Sequence, residues 1–217
     1  MQLTRFIALV TFLAAAALAA LASDFKYQVP TGFRELRTAT RPGDADESNV
    51  PAKLLREARN PNYILVAVDP LTTTRNSAGA TFNVVEMKST GHMTLDLATK
   101  TAHALAASLN ATLIDVNVVP INGVDSAMTT LEVNDGRGMI RMRQYVFPGP
   151  NGAAVLTYSA PRDDFEKYEY FFTASAKATT GVGEPPGPKW SWKEFFLSGL
   201  AGGLLGIAWY VIRIYKS

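Results

Sequence analysis

Apolar residues recur at two different spacings along this chain, and clusters of turn-forming residues separate the runs. Phe25-Lys26-Tyr27-Gln28-Val29-Pro30 alternates and stops at Pro30-Thr31-Gly32-Phe33, which predicts a short first strand and a turn. Residues 34–50 are polar and predict a loop. Pro51 then opens a short helix with Leu54, Leu55 and Ala58 on its buried side. Residues 63–68 are a nearly continuous apolar run ended by Asp69-Pro70, the pattern of a strand covered on both faces. A polar loop over 71–79 leads into a strand over Thr81–Met87. From Thr94 the period lengthens. Leu95, Ala98, Ala102, Leu105 and Leu109 form one helical stripe, with Lys100 and His103 projecting elsewhere. Strands follow closely over 113–119, 127–133, 139–147 and 154–159. The Asn-Gly and Asp-Gly pairs between them predict hairpins in an antiparallel meander. A last amphipathic helix starts at Asp163, with Glu166 as its capping-box partner, and buries Phe165, Tyr168, Phe172 and Ser175/Ala176. This order of elements predicts an α+β sandwich with helices packed on an antiparallel sheet.

Two apolar segments lie outside that pattern. The first places Arg5 before a short apolar core ending at Ala20-Leu21-Ala22, the plan of a secretory signal peptide. The second, residues 195–212, carries no charge until Arg213, and about 18 residues are just enough to cross a bilayer core of about 30 Å. The predicted division is a signal peptide over 1–22, an exported domain over 24–180 and a Pro/Gly-rich linker over 181–194. A transmembrane helix over 195–214 follows, with a short basic tail to 217. The exported domain then lies in the periplasm or outside the cell, and the C-terminus is cytoplasmic. Arg213 and Lys216 agree with that orientation, although Lys189 and Lys193 on the far side weaken the bias. Gly199, Gly202, Gly203 and Gly206 form two overlapping small-xxx-small pairs on one helix face, which suits homo- or hetero-association of the spans. The other readings of 195–212 are a buried core helix and a sorting tail removed after export.

Charge changes this picture little. Over residues 24–188 there are 16 Lys/Arg against 18 Asp/Glu, so the exported part carries a net charge near −2. The basic excess of the whole chain sits in the signal and around the span. Nothing resembles the clustered basic face of a nucleic-acid binder. Cysteine is absent, which removes disulfides, thiolate metal sites, a cysteine nucleophile and a cysteine-linked lipid anchor together.

Candidate chemistry is sparse. There is no Gly-x-Ser-x-Gly elbow, phosphate loop, dinucleotide fingerprint or His-Glu-x-x-His. His92 and His103 are eleven apart and read as a turn residue and a solvated helix residue; Gly136-Arg137-Gly138 reads as a hairpin turn. The acids Asp163, Asp164, Glu166 and Glu169 could collect a hard cation, but acids in a first helical turn are what the helix dipole favours. No catalytic, cofactor or metal residue is assigned. Arg141 and Arg143 share one strand face with Tyr145, while Ile140, Met142 and Val146 take the other. Such a basic-aromatic strip could grip an acidic partner or anionic headgroups. The alternative is a solvated face with cross-strand pairs to acids such as Glu132.

Some strings resemble the PsbP-like family (PsbP/DcrB type). They are Phe25-Lys26-Tyr27-Gln28-Val29-Pro30-Thr31-Gly32-Phe33 and the late run Tyr145-Val146-Phe147, Ala154-Val155-Leu156-Thr157-Tyr158-Ser159-Ala160-Pro161, Phe165, Tyr168, Phe172 and Ser175-Ala176. The resemblance covers most of residues 25–177. It implies an αβα sandwich with a central antiparallel sheet, and a non-enzymatic role in binding or complex assembly. Residues 34–62 look longer than the family's first connection, and the C-terminal span is unusual for it. No manganese- or chloride-related motif carries over. The expectation is a membrane-anchored binding or assembly protein whose partners are the lipid bilayer and other envelope proteins. The rivals are an envelope hydrolase using Asp69 or Asp115 with Glu132, and a structural subunit working mainly through its glycine-faced span.

Overall fold

The computed structural model describes residues 25–36, 50–74, 77, 79–87, 92–150 and 152–183. The residues predicted to form the signal peptide (1–22) and the span (195–214), with Gly199, Gly202, Gly203 and Gly206, lie outside the described residues. Among the described residues no helix is long and apolar enough to cross a membrane.

The elements run β1 (Arg34–Glu35), α1 (Ala52–Ala58), β2 (Leu65–Val68), β3 (Thr81–Met87), α2 (Leu95–Leu109), β4 (Thr112–Ile121), β5 (Val124–Asn134), β6 (Met139–Gly149), β7 (Gly152–Pro161), a 3-10 turn at Arg162–Asp164 and α3 (Phe165–Ala178). Seven strands form one sheet in the order β1-β2-β3-β7-β6-β5-β4. Each neighbouring pair is antiparallel. The meander closes through the turns that its sequence demands. Asn122 and Gly123 hold φ of 51° and 81° in the two-residue β4–β5 loop, the left-handed pair that a type I′ hairpin needs. In the β5–β6 turn the Asp135 carboxylate accepts the Arg137 and Gly138 amides, each at 2.9 Å.

Alternation along each strand sorts the core into two layers. On one face Phe82, Val84, Tyr145, Phe147, Leu156 and Tyr158 meet Phe165, Phe172 and Ala176 of α3. Phe172 has no exposed surface. Its ring centroid lies 4.9 Å from that of Tyr158 and 5.5 Å from that of Phe165. The Tyr158 hydroxyl, carried into this layer, is satisfied by Ser175 at 3.0 Å. On the opposite face α1 packs Leu54 and Ala58 against Val66 and Val68. Beside it, α2 packs Leu97 and Ala98 against Ala127 and Val146, and Leu105 and Leu109 against Leu131 and Met142. The antiparallel sheet is therefore as the order of elements predicts, and helices lie on both of its faces, as the resemblance implies.

Three local expectations fail. Residues 25–30 form no strand of the sheet: only Lys26 is bridged, and to Thr180 beyond α3, while Phe25, Tyr27 and Val29 lie against the α3-side core. Leu95 is 56% exposed. The buried stripe of α2 is Leu97, Ala98, Ala102, Leu105, Ala106 and Leu109, rotated away from Leu95 at the helix entry. The capping box of α3 is not made. The 3-10 turn inserts Asp163 and Asp164 before the helix, the N-cap position falls on Asp164 without a side-chain bond, and Phe165 N–H is taken by the Arg162 carbonyl. By contrast Thr94 caps α2, its hydroxyl accepting the Leu97 amide at 3.3 Å.

Candidate functional site

Arg141 and Arg143 emerge from β6 on the α3 side of the sheet, as their spacing requires. Register sets Arg141 opposite Glu132 and Arg143 opposite Thr130. Both Arg141 Nε and Nη2 donate to the same Glu132 oxygen, at 3.0 and 2.7 Å. Arg143 Nη1 reaches Glu169 of α3 at 2.6 Å. The two guanidinium groups also lie 5.8 and 5.3 Å from the centre of the Phe165 ring, close enough for cation–π attraction. Tyr145 is 3% exposed and stacks on Phe147 in the core. The aromatic member of the strip is thus Phe165, and two arginines face two glutamates. This is a neutral seam joining sheet to helix.

The carboxylates named for hydrolysis are each engaged by other groups, and Asp69 is far from Glu132. Asp69 lies just beyond β2, four strand positions from β5, or about 19 Å at roughly 4.8 Å per step. Its carboxylate accepts the Leu71 amide at 2.9 Å, the Thr72 hydroxyl at 3.1 Å and the Tyr168 hydroxyl at 2.6 Å. It is a loop clasp. Burial first, and then that hydrogen bond to Asp69, raise the Tyr168 hydroxyl above its usual pKa. Asp115 is exposed on β4 and accepts the Asn117 side-chain amide at 2.8 Å. Glu132 is engaged by Arg141. In the acidic cluster Asp163 pairs with Arg162, Asp164 with Lys167 and Glu169 with Arg143. Among the described residues no group of three metal-ligating side chains gathers. His103 is exposed on α2.

Sequence reasoning passed over the edges of the sheet. At one edge β1 has two residues, Arg34 and Glu35, both charged. At the other, β4 has ten residues and one charged side chain, Asp115. Ile121 and Val124 flank the I′ turn as a hydrogen-bonded pair. By alternation Val119, Asn117 and Asp115 direct their backbone groups to β5, and Val118 and Val116 direct theirs outward. A bulge between Leu113 and Asp115 and the donor-less Pro120 bracket this stretch. Among the described residues, 115–119 are therefore a regular open edge with almost none of the charge that usually blocks strand addition. A signal was available in the low charge of 112–121, but only strand order shows that this strand is outermost.

No protein-family model matches the sequence, and no curated protein matches it. Solved structures overlap it loosely. The cyanobacterial PsbP (CyanoP) of Synechocystis sp. PCC 6803 is similar with a TM-score of 0.49 and 13% identity, over 73% of this chain and 87% of that one. LpqN, involved in cell envelope biogenesis of Mycobacterium tuberculosis, is similar with a TM-score of 0.44 and 14% identity, over 76% and 88% of the two chains.

Proposed function

We propose that this chain is a membrane-anchored exported protein, periplasmic or at the cell surface, which acts without catalysis as a binding and assembly component of an envelope protein complex. The observation that supports it is the open β4 edge. An extended segment of a partner can add there as an eighth strand, taking its main-chain hydrogen bonds from Val116 and Val118. Export and anchoring rest on the signal-like residues 1–22 and the apolar residues 195–212. A tether restricts the domain to the layer beside the membrane, where partners are met at high effective concentration.

Photo-crosslinking in native membranes tests this reading. A benzophenone side chain replacing Asn117 is expected to capture defined envelope proteins, and the same group at His103 on the opposite layer is not. Val118→Pro removes an outward N–H at an edge position where proline is tolerated. Capture is expected to fall at least tenfold while the thermal midpoint stays within a few degrees. Equal capture from both positions, or capture indifferent to Val118→Pro, would sink the proposal.

A further inference from the structure

Leu71, Tyr170 and Phe171 are 91%, 77% and 36% exposed. They belong to two elements held side by side. The Tyr168 hydroxyl donates to Asp69 and lies 3.4 Å from Thr72, so the start of the β2–β3 loop, which carries Leu71, lies along the flank of α3. At about 100° per residue, Phe171 falls on that flank and Tyr170 on the helix's outer side. Lys167 and Lys177 share this outer arc with Tyr170. A leucine and two aromatics standing in water beside lysine stems have the make-up of a shallow membrane-interfacial surface.

We infer that the outer face of α3, together with Leu71 early in the β2–β3 loop, docks on the lipid bilayer and lays the exported domain flat on the membrane. This rests on the proposed anchoring through residues 195–212. The chain itself selects a bilayer as the occupant. Gly183, whose amide is bound to the Pro148 carbonyl at 3.1 Å, is the last described residue. Only residues 184–194 separate it from the apolar segment, a reach of at most about 40 Å when fully extended. The domain cannot leave the membrane's neighbourhood, so a weak interfacial affinity suffices to set its orientation. The attraction is apolar rather than ionic, because Lys167 is paired with Asp164 and Glu166 stands beside it. Docked on α3, the molecule holds the α2 layer away from the membrane. It presents the β4 edge sideways, three strand positions from β7, where neighbouring membrane proteins would meet it.

The chain has no cysteine, so a single introduced one carries a unique nitroxide label. The full-length chain is reconstituted at low density in phosphatidylcholine/phosphatidylglycerol vesicles with the label at Leu71→Cys, Tyr170→Cys or His103→Cys. Collision with oxygen, which partitions into lipid, is compared with collision with a water-soluble nickel chelate. Labels at 71 and 170 are expected to favour oxygen several-fold over the label at 103. If they match position 103 while the chain floats with the vesicles, docking is overturned and the anchor stands. Shielding from both reagents would place protein on this face and also overturn it. If the chain does not float, docking and anchoring fail together. All three positions are exposed, and thermal melts confirm that the labelled variants are folded.

Discussion

Asp69 closes the β2–β3 loop with three hydrogen bonds from different groups, one of them the tyrosine hydroxyl of α3. Removing a charged acceptor of this kind costs about 1.5–3 kcal/mol. Asp69→Ala is therefore expected to destabilise the domain by about 2 kcal/mol in urea unfolding without altering the meander, whose hydrogen bonds it does not share. Tyrosines supply a second test. Burial pushes the Tyr63 and Tyr158 hydroxyls well above the ordinary tyrosine value, with Glu57 adding to the shift at Tyr63 and the Ser175 hydrogen bond opposing it at Tyr158. The folded protein holds these protons more tightly than the unfolded chain. Their contribution is complete below about pH 10, the unfolded value, and is lost progressively as pH rises beyond it. Unfolding free energies between pH 8 and 11.5 are expected to fall over the last two units. Tyr158→Phe should flatten that fall, at a cost of about 1 kcal/mol at neutral pH for the lost bond to Ser175.

At the level of elements, two glycines with positive φ separate conformational from steric demand. Gly123 has φ of 81° and open space where a Cβ would stand. Gly123→Ala meets only the left-handed penalty, about 1–2 kcal/mol. Gly79 has φ of 60°, and a Cβ there would lie 2.5 Å from the Thr72 hydroxyl and 2.6 Å from its carbonyl carbon. Backbone cannot yield as a flexible side chain can, and the same Thr72 hydroxyl accepts the Ala80 amide at 3.2 Å. Gly79→Ala is expected to destabilise by at least about 2 kcal/mol more than Gly123→Ala in paired denaturation curves. The reverse order would mean that the loop clasped by Asp69 is far softer than its contacts indicate. Both glycines were recognisable as turn residues from sequence. Only the three-dimensional approach of Thr72 to Gly79 ranks them.

For the molecule as a whole, the proposed division between domain and anchor has a direct consequence. Truncation after Gly183 keeps every described element and removes the apolar segment. The full chain is expected to resist alkaline carbonate extraction, and the truncated chain to appear in the soluble exported fraction with an unchanged melting profile. A truncated chain that stays with the membrane as firmly as the full one would contradict anchoring through residues 195–212. Fractionation followed by blotting reads both outcomes.

What the sequence determined by itself was local. Period-two and helical apolar spacing, the Asn-Gly turn and the change of period at Thr94 were sufficient for the meander, for α2 and α3, and for helices packed on an antiparallel sheet. These signals act between residues a few positions apart, and that is why they could be read. Strand order was decided only by the tertiary structure, which brings β3 against β7 and leaves β4 outermost. So was the fate of Tyr145, whose alternation put it beside Arg141 and Arg143 but whose place beneath α3 drew it into the core. The same packing supplied Glu132, Glu169 and Phe165 as partners for the two arginines of the candidate strip. Long-range packing also used up the Asp69 carboxylate as a loop clasp. Period and composition say which side chains share a face; which faces are covered, and which edge stays open, depends on contacts between residues up to about 150 positions apart.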